Sequence, residues 1–364
     1  MAPGAAPELD DAALPALRTQ LLRWYRGARR ELPWRTSRDP YHVLVSELML
    51  QQTRVDVVLP YFARWVLRWP DVRALAAASE DDVLAAWSGL GYYRRARALH
   101  AAAREIVARH GGVVPRAVDA LRALPGVGPY TAAAVASIAY DVPAAVVDGN
   151  VERVLCRLLG DARPPSAARA RDLRDVAERL LAAPAGDWNQ ALMELGALVC
   201  VPSAPRCDVC PWAPRCVAHA RGDAARLPVR AAPSAVREVV LRMAVVRRGD
   251  AVLLVRRGEG ALLAGMWELP TTDEGGSPAQ LGALVRRAVP GARVHLAATA
   301  ARSFRHAITR RRITVHVHEG TCGAPVESVA EAPPGIAWAG PRELGAYAVS
   351  SMTTKALAGS RRAT

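Results

Sequence analysis

The sequence predicts a chain in two parts: an all-α N-terminal two thirds and a smaller α+β C-terminal third. Three observations carry this. At 364 residues the chain is long for a single hydrophobic core, so two domains are expected. Across residues 9–222 apolar residues recur at helical spacing, as in Leu14, Leu17, Leu21, Leu22 and Trp24, and again in Leu155, Leu158 and Leu159. From about Arg237 the texture changes: REVVLRMAVVRRGDAVLLVRR reads as two strands around an Arg-Gly-Asp turn, and RRITVHVHEG alternates with period two.

Within this outline, alanine-rich stretches such as AAAREIVARH fit surface helices. SPAQLGALVRRAV is a single helix opened by Ser-Pro in the C-terminal third. AARLPVRAAPSAVRE holds two prolines and no periodicity, which makes residues 224–236 the expected linker between domains 1–223 and 237–364. No internal repeat is present.

Composition narrows the function classes. A hydrophobic content of 51% with mean hydropathy +0.05 describes a folded soluble chain and excludes a disordered one. There is no run of eighteen apolar residues, and the opening MAPGAAPELDDAALP is acidic. Neither a membrane span nor a secretory signal is expected, and a cytoplasmic location is. The net charge of +14 favours a polyanionic partner. Lys355 is the only lysine, so a compositional bias toward Ala and Arg would give the same charge. Four of six cysteines crowd between Cys200 and Cys216; with no export signal this reads as a metal site, leaving Cys156 and Cys322 as core residues.

Four segments carry chemistry. In LRALPGVGPYTAAAVASIAY two helices flank a Gly-x-Gly turn, where Gly126 and Gly128 are expected to take angles closed to other residues and let a phosphate approach the amides of the next helix. A helix C-cap has a similar signature. With its leading Leu-Pro and trailing Thr-Ala-Ala-Ala the segment resembles a helix-hairpin-helix, which grips DNA backbone without reading sequence. In AAVVDGNVERVLCRLL, Asp148 stands where a helix cap is the commoner job, and a functional carboxylate there is compatible with capping. Glu47 lies in the apolar run YHVLVSELMLQQT: buried, it would have a raised pKa suited to a general acid; on a helix edge it would simply face solvent. The series Cys200-x6-Cys207-x2-Cys210-x5-Cys216 points to a metal, with zinc the default for a C-x2-C pair and not excluded by spacing. Arg206 and Arg215, interleaved on that loop, suggest a second role in touching phosphate.

The order PWR (33–35), SELMLQQT (46–53), GLGYYRRAR (89–97), LPGVGPYTA (124–132), VDGNV (147–151) and C-x6-C-x2-C-x5-C resembles the MutY family of adenine DNA glycosylases, closely over residues 24–216 and more loosely to the C-terminus. The resemblance implies a helix-hairpin-helix catalytic domain over 1–223. Its parts would be a six-helix barrel at about 35–140 and a helical module, from 8–34 and 141–222, holding a [4Fe-4S] cluster on the four cysteines. It implies that Glu47 protonates adenine N7 and helps position water, and that Asp148 stabilises positive charge on the sugar or bonds to it. Tyr130 would place its hydroxyl near that aspartate, and Asn150 would support the sugar and water. Arg35 and Gln190 match positions lining the adenine pocket, and Gln52 and Tyr92 match residues that wedge into the base stack.

The C-terminal third resembles the family's Nudix-like domain, which reads 8-oxoguanine on the opposite strand. VLLVRRGEGALLAGMWELP matches its early strands, and the acidic catalytic helix of Nudix hydrolases is missing. Two departures stand out. The usual Phe-Ser-His of the lesion-reading loop is Phe304-Arg305-His306, and a lysine often found after Asp-Gly-Asn-Val is Glu152. The implied partner is double-stranded DNA with adenine opposite 8-oxoguanine or guanine, met by a monomer with no membrane involved. The strand-cutting endonuclease III relatives place a lysine at the position of Tyr130 and lack a glutamate matching Glu47. A non-catalytic iron–sulfur DNA-binding protein would require Glu47 and Asp148 to be incidental.

Overall fold

The computed structural model describes residues 9–231, 235–258, 265–323 and 334–359. Packing divides the chain into two compact units, Met1–Ala77 with Ala98–Ala232, and Ala78–Arg97 with Pro233–Thr364. Among the described residues no helix is long and apolar enough to cross a membrane.

The first unit is helical. Helices Leu14–Ala28, Gly149–Leu159, Ala167–Leu180 and Ala185–Leu198 enclose one core around Leu17, Leu21, Leu155, Leu173, Trp188 and Trp212. Helix Pro129–Tyr140 packs against Pro40–Leu50, Val118–Arg122 and Ala185–Leu198. It can touch three neighbours because its buried stretch, Thr131 to Ile138, is half alanine, with serine and threonine also small, so backbones approach closely. Between Val118–Arg122 and Pro129–Tyr140 lies the expected hairpin. Gly126 has φ 73°, and a Cβ there would sit 2.3 Å from the Cβ of Ala98, so glycine is required twice over. Gly128 departs from expectation: its φ of −84° and ψ of 177° are open to any residue, and a Cβ would meet nothing within 4 Å. Its place as the uncapped N-terminal residue of Pro129–Tyr140 leaves the first amides of that helix without a side-chain partner.

The expected linker begins later than residue 224. Ala224–Arg226 forms a 3-10 turn, and Leu227, 5% exposed, is buried with Ala218 and Ala224.

Among the described residues the second unit is built on one sheet of seven strands: β1 (Arg237–Arg248), β2 (Ala251–Arg256), β3 (Trp267–Glu268), β4 (Val294–Leu296), β5 (Arg302–Ile308), β6 (Arg311–Cys322) and β7 (Ile336–Ala339). The order is β3-β2-β1-β6-β4, with β5 also on β6 and β7 on β2; β1 and β6 run parallel. Gly249 and Asp250 turn β1 into β2, as the Arg-Gly-Asp segment predicted. Helices cover both faces. Met352 and Ala356 of Ser351–Ala358 meet Val239, Leu241, Met243 and Val245, while Leu281 and Val285 of Pro278–Ala288 meet Ala244 and Val246. Burial on both faces explains the unbroken apolar run at 243–246.

Two placements differ from expectation. Residues 78–97, expected in the helical barrel, pack with the C-terminal sheet: Arg256 pairs with Asp81 at 2.6 Å, and the Ser88 and Tyr93 hydroxyls donate to the Val349 carbonyl. Phe304, Arg305 and His306 lie on strand β5, not in a loop, and pair with Val315, Thr314 and Ile313 of β6. The pleat therefore puts Phe304 and His306 on one face and Arg305, exposed, on the other.

Candidate active site and cysteine loop

Helix Pro40–Leu50 is capped by Asp39, whose carboxylate accepts from the amides of Tyr41 and His42, and it buries Tyr41 and every residue from Val43 to Met49. Within this buried stretch Glu47 is 5% exposed. The Tyr130 hydroxyl donates to its Oε2 at 2.8 Å. Burial pushes the Glu47 carboxyl up to about 7; Asp148 acts the same way, while the Tyr130 hydrogen bond and Arg35 oppose it.

Asp148 performs the capping role and faces the same cavity. Its Oδ1 accepts from the amides of Asn150 at 2.9 Å and Val151 at 2.7 Å, and its Oδ2 from Asn150 Nδ2 at 2.8 Å. Burial raises its pKa, and these bonds and Arg153 pull the other way. Three donors favour the ionised form of Asp148, whereas Glu47 has one neutral donor and is the member suited to hold a proton near neutrality.

Glu47, Tyr130, Asp148, Asn150, Arg35, Gln190 and Gln52 all line one cavity of about 530 Å3, together with Trp34, Arg30 and Glu194. Tyr130 sits on Glu47 and within 3.5 Å of Met193 Sδ, so its hydrogen bond goes to the acid and not to Asp148. Gln190 donates to the Gly186 carbonyl. Arg35 donates to both oxygens of Glu194 at 3.1 and 2.8 Å, and Arg30 does so at 2.8 and 2.7 Å. Glu194 is 1% exposed, and its two guanidinium partners hold its carboxyl down to about 2 against the effect of burial. Sequence reasoning missed Glu194 and Arg30. A carboxylate in the apolar run ALMELG, four residues after Gln190, was the available signal, the same one that marked Glu47.

Gln52 follows this buried helix on an exposed turn with φ 58°, and its neighbour Gln51 donates to the Thr131 hydroxyl. In the second unit Tyr92 has φ 49° and is 45% exposed. Neither residue type adopts this backbone readily. Glu152, at the lysine position of the resemblance, pairs with the buried Arg169 at 2.9 Å.

Cys200, Cys207, Cys210 and Cys216 share one small pocket with Arg157. Among the described residues no three His, Cys, Asp or Glu side chains are gathered as ligands of one ion. Donors surround the sulfurs: Arg157 Nη1 reaches Cys200 Sγ at 3.3 Å, the Trp212 amide faces Cys210, and the Ala218 and His219 amides face Cys216. Arg157, 1% exposed, also donates to the carbonyls of Cys200, Val201, Pro202 and Leu227. Four residues earlier, Arg153 joins the Cys200 carbonyl, at 2.7 Å, to Asn150 Oδ1 at 2.9 Å. Arg206 and Arg215 are exposed on the loop.

Residues 45–179 match the HhH-GPD superfamily of base excision DNA repair proteins, and residues 242–359 match the NUDIX domain. The chain is 41% identical to the adenine DNA glycosylase of Rattus norvegicus over 316 residues, covering 72% of this chain and 61% of that protein. It is 36% identical to the adenine DNA glycosylase of Homo sapiens over 411 residues, covering 95% of this chain and 74% of the relative. The chain thus spans less than two thirds of the rat relative's length. Among solved structures, a thermostable thymine-DNA glycosylase superposes with TM-score 0.53 at 28% identity, over 58% of this chain and 98% of that one. With the buried Glu47 and the capping Asp148 facing one cavity beneath a helix-hairpin-helix, the chain belongs to the adenine DNA glycosylase family.

Proposed function

We propose that the protein hydrolyses the N-glycosidic bond of adenine mispaired with 8-oxoguanine or guanine in duplex DNA and leaves an abasic site. The helical part to about residue 223 carries catalysis, and the part from 237 recognises the opposite base. The carrying observation is the pair Glu47 and Asp148 in one cavity, held in unlike environments. Protonated Glu47 gives its proton to adenine N7; the bond from the sugar to N9 breaks, and its electron pair leaves with the base. Ionised Asp148, fixed by Asn150, stabilises the positive sugar. Water adds to that carbon and returns a proton to Glu47.

The cysteine loop fits a [4Fe-4S] cluster. A single zinc takes its sulfurs at about 2.3 Å from one point; here four cysteines line one pocket, and three of them, Cys200, Cys210 and Cys216, face N–H donors, a setting suited to a larger anionic iron–sulfur group. When bound, the cluster would cross-link residues 200–216 and stiffen the loop that presents Arg206 and Arg215 to phosphate.

The C-terminal unit fits recognition and not hydrolysis. Helix Pro278–Ala288, PAQLGALVRRA, has no carboxylate to hold a metal. Burial and the nearby charge of Lys355 lower the pKa of His306, so its imidazole is neutral at pH 7 and has a nitrogen free to accept the N7 hydrogen of 8-oxoguanine. Arg305 has only donors and lies on the opposite face of β5, which suits a phosphate.

With a duplex carrying adenine opposite 8-oxoguanine, the protein should produce abasic sites whose strands break only after alkali. Tyr130 has no amine to form an imine, and Lys355 lies in the second unit. Enzyme-dependent nicking without alkali would show a lyase. The single-turnover rate should fall as pH rises through about 7, because the acid form of Glu47 is lost there. Glu47→Gln should remove this limb and lower the rate by about 10²–10⁴-fold, with duplex binding retained; a wild-type rate would remove Glu47 from the mechanism.

Protein purified without oxygen should contain about four irons per chain, as expected of a [4Fe-4S] cluster. Cys207→Ser should weaken DNA binding more than it lowers the melting temperature, and stoichiometric zinc without iron would refute the cluster. Arg305→Ala should weaken binding to 8-oxoguanine and guanine duplexes alike, flattening the log–log salt slope by about 0.9, one phosphate contact. A loss confined to the 8-oxoguanine duplex, with the slope unchanged, would make Arg305 a reader of the lesion.

A further inference from the structure

The turn Gly89-Leu90-Gly91-Tyr92 passes through three left-handed backbone angles in four residues: φ is 101° at Gly89, 70° at Gly91 and 49° at Tyr92. At Gly91 a Cβ would meet nothing within 4 Å, so the angle alone calls for glycine. Tyrosine has no such freedom, and an exposed tyrosine held in this region needs its surroundings to keep it there.

Arg95 supplies that restraint. It is 8% exposed, and Nη2 donates to the carbonyls of Leu90 at 3.2 Å and Gly91 at 3.0 Å. Its guanidinium lies 5.4 Å from the Tyr92 ring centroid and 5.3 Å from that of Trp87, so one planar cation contacts both rings. Trp87 Nε1 donates to the Gly91 carbonyl as well, at 3.1 Å. On the other side of the turn, the Ser88 and Tyr93 hydroxyls reach the Val349 carbonyl at 2.9 and 3.4 Å, and the Gly89 amide donates to the Tyr93 hydroxyl. Arginine suits the position because Nη2 meets both carbonyls while its broad, weakly hydrated cation reaches both the Tyr92 and Trp87 rings; a lysine ammonium is a compact, strongly hydrated point charge.

We propose that Arg95 is a positioning residue that fixes Tyr92 as a rigid aromatic wedge for the DNA base stack, and that the C-terminal unit anchors this wedge through Val349. The inference rests on the base-flipping function proposed above. A rigid ring that stacks on any base replaces the stacking lost when a nucleotide is extruded, and pre-setting its backbone removes the ordering step from the encounter with DNA. The sheet that carries the opposite-base residues then also carries the wedge.

The test uses the full chain in a Glu47→Gln background, so that no base is hydrolysed, and a duplex with 2-aminopurine opposite 8-oxoguanine, whose fluorescence rises on unstacking. Arg95→Met should lower the extruded fraction about tenfold, to the level of Tyr92→Leu. The double variant should be no worse than Tyr92→Leu alone, since both changes remove one function. Arg95→Lys should recover only part of the signal. Ser88→Ala with Tyr93→Phe, which deletes the two donations to Val349 and leaves Arg95 in place, should give a smaller loss of the same kind with an unchanged melting temperature. Additive losses in the double variant, or wild-type extrusion in Arg95→Met or in the Ser88/Tyr93 variant, would overturn the proposal. Wild-type protein that releases no adenine would defeat the glycosylase reading, while the extrusion comparison would still decide the role of Arg95.

Discussion

Arg153 and Arg157 lie one turn apart on helix Gly149–Leu159 and bond to groups that arrive from three other stretches of chain. The Cys200 carbonyl receives both of them, and Arg157 also reaches the Cys200 sulfur and the carbonyls of Val201, Pro202 and Leu227. Arg153 turns the other way, to Gly196 and to the amide oxygen of Asn150, whose nitrogen donates to Asp148. The helix that Asp148 caps therefore supports the cysteine loop from the same rigid body. A buried acceptor left unmet costs about 1–3 kcal/mol, and Arg157 alone meets four buried or half-buried carbonyls. The cysteine loop and Asp148 thus share their supports, and disturbing one reaches the other through three hydrogen bonds.

Three carboxylates face the one cavity, and their partners give them three different fates. Glu194 receives two guanidinium groups and stays ionised far below neutrality. Asp148 receives two amides and an Asn150 side chain, donors that favour its charge without a full cation in contact. Glu47 receives a single neutral hydroxyl in a fully buried helix and keeps its proton to about pH 7. The ranking follows from counting donors and their charge at each carboxylate. Arg35, besides binding Glu194, opposes with its charge the rise that burial gives the Glu47 carboxyl.

This logic was only partly visible in the sequence. Glu47 stood out because an isolated acid in an apolar run contradicts its surroundings, and Asp148 because Asp-Gly-Asn at a helix start is a recognisable cap. Both are local signals. The Arg30–Glu194 pair joins residues 164 apart, and no local pattern couples them until the helices pack. The Tyr130 hydrogen bond to Glu47 is likewise non-local, set by the contact between helices Pro129–Tyr140 and Pro40–Leu50. Gly126 was legible as a glycine with a purpose, while Gly128 looked equivalent and is not, since only the first of the pair takes a left-handed angle.

The resemblance implies a lesion-reading loop at 304–306, and the structure has strand β5 there, in which the alternation of half-buried and exposed residues is the pleat itself. Phe304 packs toward the core with Ile308, His306 shares its face, and Arg305 points away beside Ser303 and Thr314. A position on the outer face of an edge strand changes from serine to arginine without adding volume to the core or displacing its neighbours on the inner face. The departure from the usual Phe-Ser-His is therefore one that the fold accepts: Phe304 and His306 keep their side of β5, and the Arg305 guanidinium is confined to the opposite, exposed side.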